Sequence, residues 1–301
     1  MVGNQAFLYY CRSDGLGFQY TIISQLLAMV NELGVSILID WRNLSYFLSN
    51  RQSFIFERLH SYFRLTHPNL IYDPAEIDRI ITQCPEKVIG VRVGKLFGQP
   101  NKIASTLESV LVSELYPDFG KKLDPLNSYL ELRGKCEEKF NRFKDIAAHS
   151  IGIHARLGNG EVIENPIMRE RANIEYDRFF REMDPHENRN FLVCTDTPSF
   201  LNACRERYGS RIVSMPRVMA NQDKGTGHRN SKEPAPLPLD GYEQLGDALV
   251  EMLLLGECEQ LICNVSLFSV HARVCKQVKS TILANNISDY SMADSRDFIL
   301  S

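Results

Sequence analysis

IGIHARLGNGE, residues Ile151–Glu161, begins with the apolar alternation of a buried strand, breaks into a Gly-Asn-Gly turn and ends on a carboxylate. Side chains of a strand alternate between its two faces, so His154 and Arg156 are expected on the same side. The glycines allow the backbone to approach a ligand closely. A cation, backbone amides and the carboxylate of Glu161 at one strand-to-loop corner suit an anionic substrate handled by acid–base chemistry. The alternative is a surface arginine followed by an ordinary Asn-Gly turn.

Composition places the 301-residue chain among ordinary globular proteins, with 44% hydrophobic and 24% charged residues. A formal net charge of -3 provides no basic field for nucleic acid or an anionic membrane. The sequence shows neither an apolar run of membrane-spanning length nor a signal-peptide pattern at its N-terminus. We therefore expect a cytoplasmic location, either free or peripheral at the inner face of the membrane. The eight cysteines are scattered without CxxC spacing, which favours reduced thiols.

The N-terminal segment predicts a β-turn-α-β unit. Gln5–Cys11 has the apolar content of a buried strand, and a helix ending at Gly34 separates it from a second strand. Gly15 and Gly17 lie in the turn before this helix, where a helix N-terminus can bind anions. Tyr20 occupies the place of the third glycine of a dinucleotide fingerprint. The turn therefore indicates close backbone approach without identifying a ligand.

Alternation of strands and helices continues through both halves of the chain. Helices are predicted over Ile103–Leu115 and Leu126–Ala148, and the second is long enough to connect two domains. A polar segment rich in glycine and proline at 220–240 is interpreted as a mobile loop. The whole pattern predicts two α/β domains with parallel sheets, an N-terminal domain over 1–148 and a C-terminal domain over 149–301.

Polar segments directly follow several predicted strands. In parallel sheets, ligands bind beyond the carboxyl ends of the strands, so these segments are expected to meet at one cleft. The chain contains no D-x-D motif and no His/Cys cluster with metal-site spacing, and no metal is expected. The segments are Arg12–Phe18, His154–Glu161, Asp196 and Ser266–Ser269.

Four segments carry a family resemblance: GLGFQYTIISQLLAMVNELGVSILIDWR, IGIHARLGNGE, CTDTPSFL and GDALVEMLLLGECEQLICNVSLFS. Together, and in this order, they resemble the bacterial branch of glycosyltransferase family 23, the inverting α-1,6-fucosyltransferases. The resemblance implies a GT-B architecture, in which two Rossmann-like α/β domains face a cleft. The N-terminal domain would then lie on the acceptor side, and the C-terminal domain would bind the nucleotide sugar. It also implies GDP-β-L-fucose as the donor, no metal or other cofactor, and the 6-hydroxyl of an N-acetylglucosamine-type acceptor.

Individual residues take roles from this resemblance. Arg156 matches the arginine that holds the donor diphosphate, a task suited to the fixed fork of a guanidinium. His154 matches a histidine beside the nucleotide, and either Ser266 or Ser269 matches the serine at the β-phosphate. The other donor-site matches are Gly15, Gly17 and Phe18 of the glycine turn, Asn159, Asp196, and Glu251 as the reader of guanine, with Asp247 as a nearby alternative.

An inverting transfer needs a general base for the acceptor hydroxyl and stabilisation of the charge on the departing GDP. We assign the second role to Arg156, together with the backbone amides of the turn at 158–160. Glu161 is the favoured base. Because the base of the family does not align cleanly with Glu161, Glu164 and Asp14 are kept as alternatives.

The sequence therefore predicts a fucosyltransferase that acts on an oligosaccharide or glycolipid acceptor. Two alternatives stay open: a transferase for another nucleotide sugar on the same fold, and a non-catalytic protein that binds a nucleotide sugar. Neither a nucleic-acid partner nor a transmembrane segment is expected.

Overall fold

Two parallel sheets, one in each half of the chain, form the framework of the protein. The structure is a computed structural model. It describes residues 6–11, 15–44, 47, 53–92, 106–115, 124–157, 174–217, 240–264 and 266–283.

The first sheet is built from strands that are covered on both faces. All residues of its first two strands are buried, as expected of parallel strands packed between helices. Its strands are β1 (Phe7–Cys11), β2 (Ser36–Asp40), β4 (Leu70–Ile71), β5 (Val88–Arg92) and β6 (Ser109–Leu111). They lie in the order β4-β2-β1-β5-β6, and every neighbouring pair is parallel.

The second sheet repeats this arrangement. Its strands are β8 (Ser150–Ala155), β9 (Asn190–Thr195), β10 (Ile212–Val213), β11 (Gln260–Asn264) and β12 (Lys279–Leu283). Their order is β10-β9-β8-β11-β12, again all parallel. The first strand of each half is thus the central strand of its sheet. Strand order reverses beside it, which is where open α/β sheets bind ligands.

Helices and a two-stranded antiparallel sheet complete the fold. Strands β3 (Phe63–Leu65) and β7 (Leu130–Leu132) pair antiparallel. The helices are α1 (Leu16–Leu33), α2 (Phe56–His60), α3 (Pro74–Gln83), α4 (Val112–Leu115), α5 (Gly134–Ala148), α6 (Tyr176–Met183), α7 (Pro198–Tyr208) and α8 (Gly241–Glu257). Short 3-10 turns occur at Leu126–Tyr129 and Leu267–Ser269, and a π-helical turn at His271–Cys275.

Helices α1 and α8 are buried around nearly their whole circumference. A helix with this burial belongs to the interior rather than to a surface layer. One hydrophobic cluster contains residues of both helices and of strands from both sheets, so the two halves share a continuous core. The strands of the first sheet precede residue 148 and those of the second follow it. The division into domains at this point stays a prediction.

One helix prediction was wrong, and a second was correct over only part of its range. Within Ile103–Leu115, the described part contains the strand Ser109–Leu111 followed by a short helix. Within Leu126–Ala148, the first apolar residues belong to a 3-10 turn and the strand Leu130–Leu132, and the α-helix covers Gly134–Ala148. Apolar spacing of a turn followed by a strand imitates helical periodicity, and hydrogen bonding to the distant β3 and β5 decides the outcome.

The predicted mobile loop at 220–240 lies outside the described residues, except for Asp240. The N-terminal helix agrees with its prediction, because Gly34 ends α1 in the left-handed conformation with φ 66°. Across the ranges that are described, no helix has both the length and the apolar character needed to cross a bilayer.

Candidate functional site

The carboxyl ends of β8, β9 and β11 bring several predicted site residues together. His154 lies near the end of β8 and is paired in register with Cys194 of β9 and Cys263 of β11. Arg156 follows β8 directly and Asp196 follows β9 directly. The parallel-sheet rule therefore predicted correctly that these residues meet at one edge of the sheet.

His154 is a buried, neutral histidine. Its ring stacks on Phe268, with the ring centroids 4.9 Å apart and an interplanar angle of 21°. Burial, and then the charges of Arg156, Arg217 and Arg273, lower the pKa of His154 to about 3. Its Nδ1 atom is buried and has no hydrogen-bond partner among the residues that the structure describes. The imidazole is thus an uncharged polar group in a region of positive potential.

Arg156 has a fixed backbone and a partly exposed side chain. Its backbone N–H donates to Asn264 Oδ1 at 3.0 Å, and its carbonyl accepts from Asn264 Nδ2 at 2.8 Å. The next residue, Leu157, donates its N–H to Asp196 Oδ1 at 3.0 Å. Within the described ranges, no hydrogen bond or ion pair engages the guanidinium of Arg156. Among the described contacts, the guanidinium of Arg156 therefore differs from that of Arg217, which is paired with Glu251.

The two candidate serines differ in their surroundings. Ser266 is partly exposed, and its Oγ accepts from Phe268 N–H at 3.2 Å, which caps the turn Leu267–Ser269. Ser269 is fully buried, and its Oγ donates to the carbonyl of Ser266 at 2.9 Å. Ser269 stabilises the turn, and Ser266 is the serine with surface open to a ligand. Either assignment to the β-phosphate stays a prediction.

The N-terminal glycine turn packs against this serine turn. A Cβ atom at Gly17 would lie 2.5 Å from the backbone nitrogen of Phe268 and 2.7 Å from the carbonyl carbon of Leu267. Gly15 is the N-cap residue of α1, and Phe18 is a partly buried residue packed against the core. The close backbone approach predicted for the glycines is therefore found at Gly17, where the approaching group is protein backbone.

Glu251, predicted to read guanine, is buried in α8 and paired with an arginine. Its Oε2 lies 3.1 Å from Arg217 Nη1, and the same guanidinium donates to the carbonyl of Thr195. Burial raises the pKa of Glu251 to about 7, with Arg217 opposing and Asp247 adding to the shift. Asp247 itself forms an ion pair with Lys139. Its role in reading guanine stays a prediction, as does that of Glu251.

Sequence reasoning missed three residues of this region: Asn264, Arg217 and Arg273. Asn264 ends the strand QLICN, and Arg217 follows the short strand β10 by a few positions. Both residues lie at or beyond the carboxyl end of a strand, where parallel sheets bind ligands. Applying this rule to every strand would have identified both residues as site candidates. Arg273 lies in the π-helical turn His271–Cys275 and had no such signal.

Other predicted residues cannot be placed. Asn159 and Glu161 lie outside the described residues, as do the alternative bases Glu164 and Asp14. The identity of the general base therefore stays a prediction. A search of the described residues finds no group of three or more histidine, cysteine or acidic side chains able to hold a metal ion.

Comparison with known proteins identifies the fold. No protein-family model and no curated protein sequence matches the chain. A structure of NodZ α-1,6-fucosyltransferase soaked with GDP-fucose is 15% identical, with a TM-score of 0.55 over 95% of this chain and 96% of that chain. A structure of fucosyltransferase NodZ from Bradyrhizobium is 15% identical, with a TM-score of 0.55 over 94% of this chain and 96% of that chain. A mutant of FUT1 from Arabidopsis thaliana in complex with GDP is 11% identical, with a TM-score of 0.51 over 93% of this chain and 70% of that chain.

At this level of identity, the comparison shows the fold. The chain has an α/β fold of the GT-B type, as predicted. The solved structures named above that share it are fucosyltransferases, so the family resemblance is supported at the level of the fold.

Proposed function

We propose that this protein is an inverting, NodZ-like fucosyltransferase that transfers L-fucose from GDP-β-L-fucose to a glycan hydroxyl, the 6-hydroxyl of an N-acetylglucosamine-type acceptor. One observation carries the proposal: the guanidinium of Arg156, which has no partner among the described residues, lies beside neutral His154 at the carboxyl edge of the second sheet. Solved structures that share the fold include NodZ soaked with GDP-fucose and a FUT1 mutant in complex with GDP, and this supports the choice of donor.

Arg156 is the proposed diphosphate ligand. Two parallel N–H donors of a guanidinium match two phosphate oxygens, and this pairing strengthens as negative charge develops on the departing GDP. Arg217 and Arg273 add positive potential at His154, although Arg217 is largely neutralised by Glu251. In this proposal the protein supplies the stabilising charge, and transfer needs no divalent ion.

His154 and Ser266 are proposed to orient the donor. A neutral imidazole can donate or accept a hydrogen bond without adding charge, and the buried Nδ1 atom of His154 has no hydrogen-bond partner among the described residues. The partly exposed hydroxyl of Ser266 is the proposed partner of the β-phosphate. Glu161 is the proposed base for the acceptor hydroxyl.

Transfer from a different nucleotide sugar is a second candidate, favoured by one observation. The carboxylate of Glu251 is buried against Arg217, whereas a guanine reader must accept hydrogen bonds from the base. The burial of this carboxylate beside Arg217 therefore favours a base other than guanine.

A nucleotide screen tests the donor. We expect GDP to raise the melting temperature more than UDP, ADP or CMP, because a ligand of the native state stabilises by about 2.7 kcal/mol at a concentration of 100 times Kd. A preference for UDP, ADP or CMP would replace the fucosyl donor by another nucleotide sugar. Release of GDP from GDP-fucose, without and with N-acetylglucosamine oligosaccharides, then separates a transferase from a binding protein.

Replacement of Arg156 tests the diphosphate assignment. Arg156→Ala should lower fucosyl transfer by roughly 10²–10³-fold, the usual cost of losing one preorganised donor to a developing charge. The control is Arg181→Ala, which removes an exposed arginine of α6. Circular dichroism should show the same fold in both variants. Near-normal turnover of Arg156→Ala would contradict the assignment.

A further inference from the structure

Strand β8 leaves the second sheet at Arg156, and there a side chain pairs with the backbone. Asn264, the last residue of β11, accepts from Arg156 N–H at 3.0 Å and donates to the Arg156 carbonyl at 2.8 Å. A carboxamide carries an acceptor and a donor side by side, so one side chain satisfies both backbone groups of one residue. The backbone of Arg156 is therefore fixed in position and in rotation about the chain direction.

The residues on either side of Arg156 are held from the opposite strand. Thr195 Oγ1 donates to the Ala155 carbonyl at 2.6 Å, and Asp196 Oδ1 accepts from Leu157 N–H at 3.0 Å. The backbone from Ala155 to Leu157 is thus bound by one side chain of β11, that of Asn264, on one edge. On the other edge it is bound by the side chains of two residues at the end of β9. Asn264 is only 1% exposed, so water does not compete for its hydrogen bonds.

We infer that Asn264 is a positioning residue for Arg156, and that its carboxamide sets the direction in which the guanidinium leaves the sheet. The inference rests on the proposed function, in which that guanidinium binds the donor diphosphate. Bidentate pairing with phosphate depends on geometry, and a displacement of about 1 Å can cost roughly 10²-fold in rate. The two hydrogen bonds from Asn264 hold the backbone of Arg156, whereas its side chain stays partly exposed for the ligand.

A purely structural role for Asn264 would give a different result. Its loss would leave two backbone groups without partners and lower stability under either interpretation. Only a positioning role makes the effect on nucleotide binding depend on the presence of the Arg156 side chain. A double-mutant cycle measures this dependence directly.

The cycle compares the GDP affinity of the intact protein, Asn264→Ala, Arg156→Ala and the double variant by calorimetry. We expect Asn264→Ala to weaken GDP binding about 10-fold in the presence of Arg156, and less than about twofold in the Arg156→Ala background, a coupling typical of contacting residues. Binding of guanosine, which has no phosphate, should change less than about twofold in all four proteins. Ile153→Val, a buried change in the same strand, controls for lost stability.

Each outcome has a definite meaning. Equal losses of GDP affinity in both backgrounds, or an equal loss for guanosine, would overturn the positioning role and leave the proposed function in place. Failure of the unaltered protein to bind GDP would overturn the proposed function, and the inference with it, before any variant is compared. Should Asn264→Ala fail to fold, Asn264→Ser takes its place in the same cycle, because the serine supplies one hydroxyl for hydrogen bonding in place of the carboxamide.

Discussion

At the scale of single residues, a missing side chain at Gly17 lets the two halves of the chain meet. The start of α1 packs on the backbone of Leu267 and Phe268 so closely that a Cβ atom would have contacts of 2.5–2.7 Å. These contacts are with backbone atoms, which cannot rotate away as a flexible side chain can. Phe268 also stacks on His154, so the packing at Gly17 supports one wall of the candidate site.

Gly17→Ala tests this contact. The substitution has two opposing effects on stability, one from helix propensity and one from overpacking. Alanine within a helix normally stabilises by up to about 1 kcal/mol relative to glycine, whereas overpacking usually costs about 1–3 kcal/mol. We expect overpacking to dominate and the free energy of unfolding in urea to fall. Leu33→Ala, at an exposed position near the other end of the same helix, should stay within about 0.5 kcal/mol. A gain in stability for Gly17→Ala would contradict the close approach.

At the scale of elements, Tyr20 connects α1 to two distant turns. Its hydroxyl donates to Asn127 Oδ1 at 2.8 Å and lies 2.8 Å from His271 Nδ1. The partners belong to the 3-10 turn Leu126–Tyr129 and the π-helical turn His271–Cys275. The residue that breaks a dinucleotide fingerprint in the sequence thus has a structural task that glycine would not perform.

Tyr20→Phe should lower the free energy of unfolding by roughly 1–3 kcal/mol, because buried His271 and partly buried Asn127 each lose a hydrogen-bond partner. Chemical denaturation measures the change. Tyr62→Phe is the control, since the ring that stacks on Tyr242 is retained there. A loss for Tyr20→Phe no larger than that for Tyr62→Phe would show that the hydroxyl does not connect these elements energetically.

Several elements were predictable because their signals are local. The strand Asn190–Thr195 agrees with its prediction, since an apolar run followed by Thr-Pro marks the end of a strand and the start of a helix. The strands at Ser109–Leu111 and Leu130–Leu132 were not predictable, because each has three residues and exists through pairing with a distant strand. Short strands carry too little pattern to outweigh an apparent helical period.

At the scale of the whole molecule, buried histidines link stability to pH. Burial is the largest cause that lowers the pKa of His154 to about 3 and that of His271 to about 4. Histidines of the unfolded chain take up protons near pH 6.5. Between pH 6.5 and 4 the unfolded state therefore binds more protons, so the contribution of these residues is complete above pH 6.5 and is lost as pH falls. The contribution of Glu251 to stability changes with pH in the opposite direction, because its pKa is raised in the folded state and stability is gained as pH falls.

We expect the free energy of unfolding to fall by roughly 2–5 kcal/mol between pH 6.5 and 4.5, and His271→Leu to fall less steeply because one titrating group is removed. Urea titrations across this range measure the slope. His149→Gln, which replaces an exposed histidine, is the control. Identical slopes for His271→Leu and the unaltered protein would show that His271 does not take up a proton on unfolding in this range.

The α/β class, and the position of His154 and Arg156 at the end of a buried strand, could be predicted from the amino-acid sequence. Apolar runs and the glycines and prolines between them act locally, so a single sequence reveals them. The pairing of Glu251 with Arg217, and of Asn264 with the backbone of Arg156, 108 positions away in the chain, became visible in the folded chain and had no signal in the sequence. Such partners depend on the order of strands in a sheet, and that order is set by packing of the whole core rather than by any local pattern.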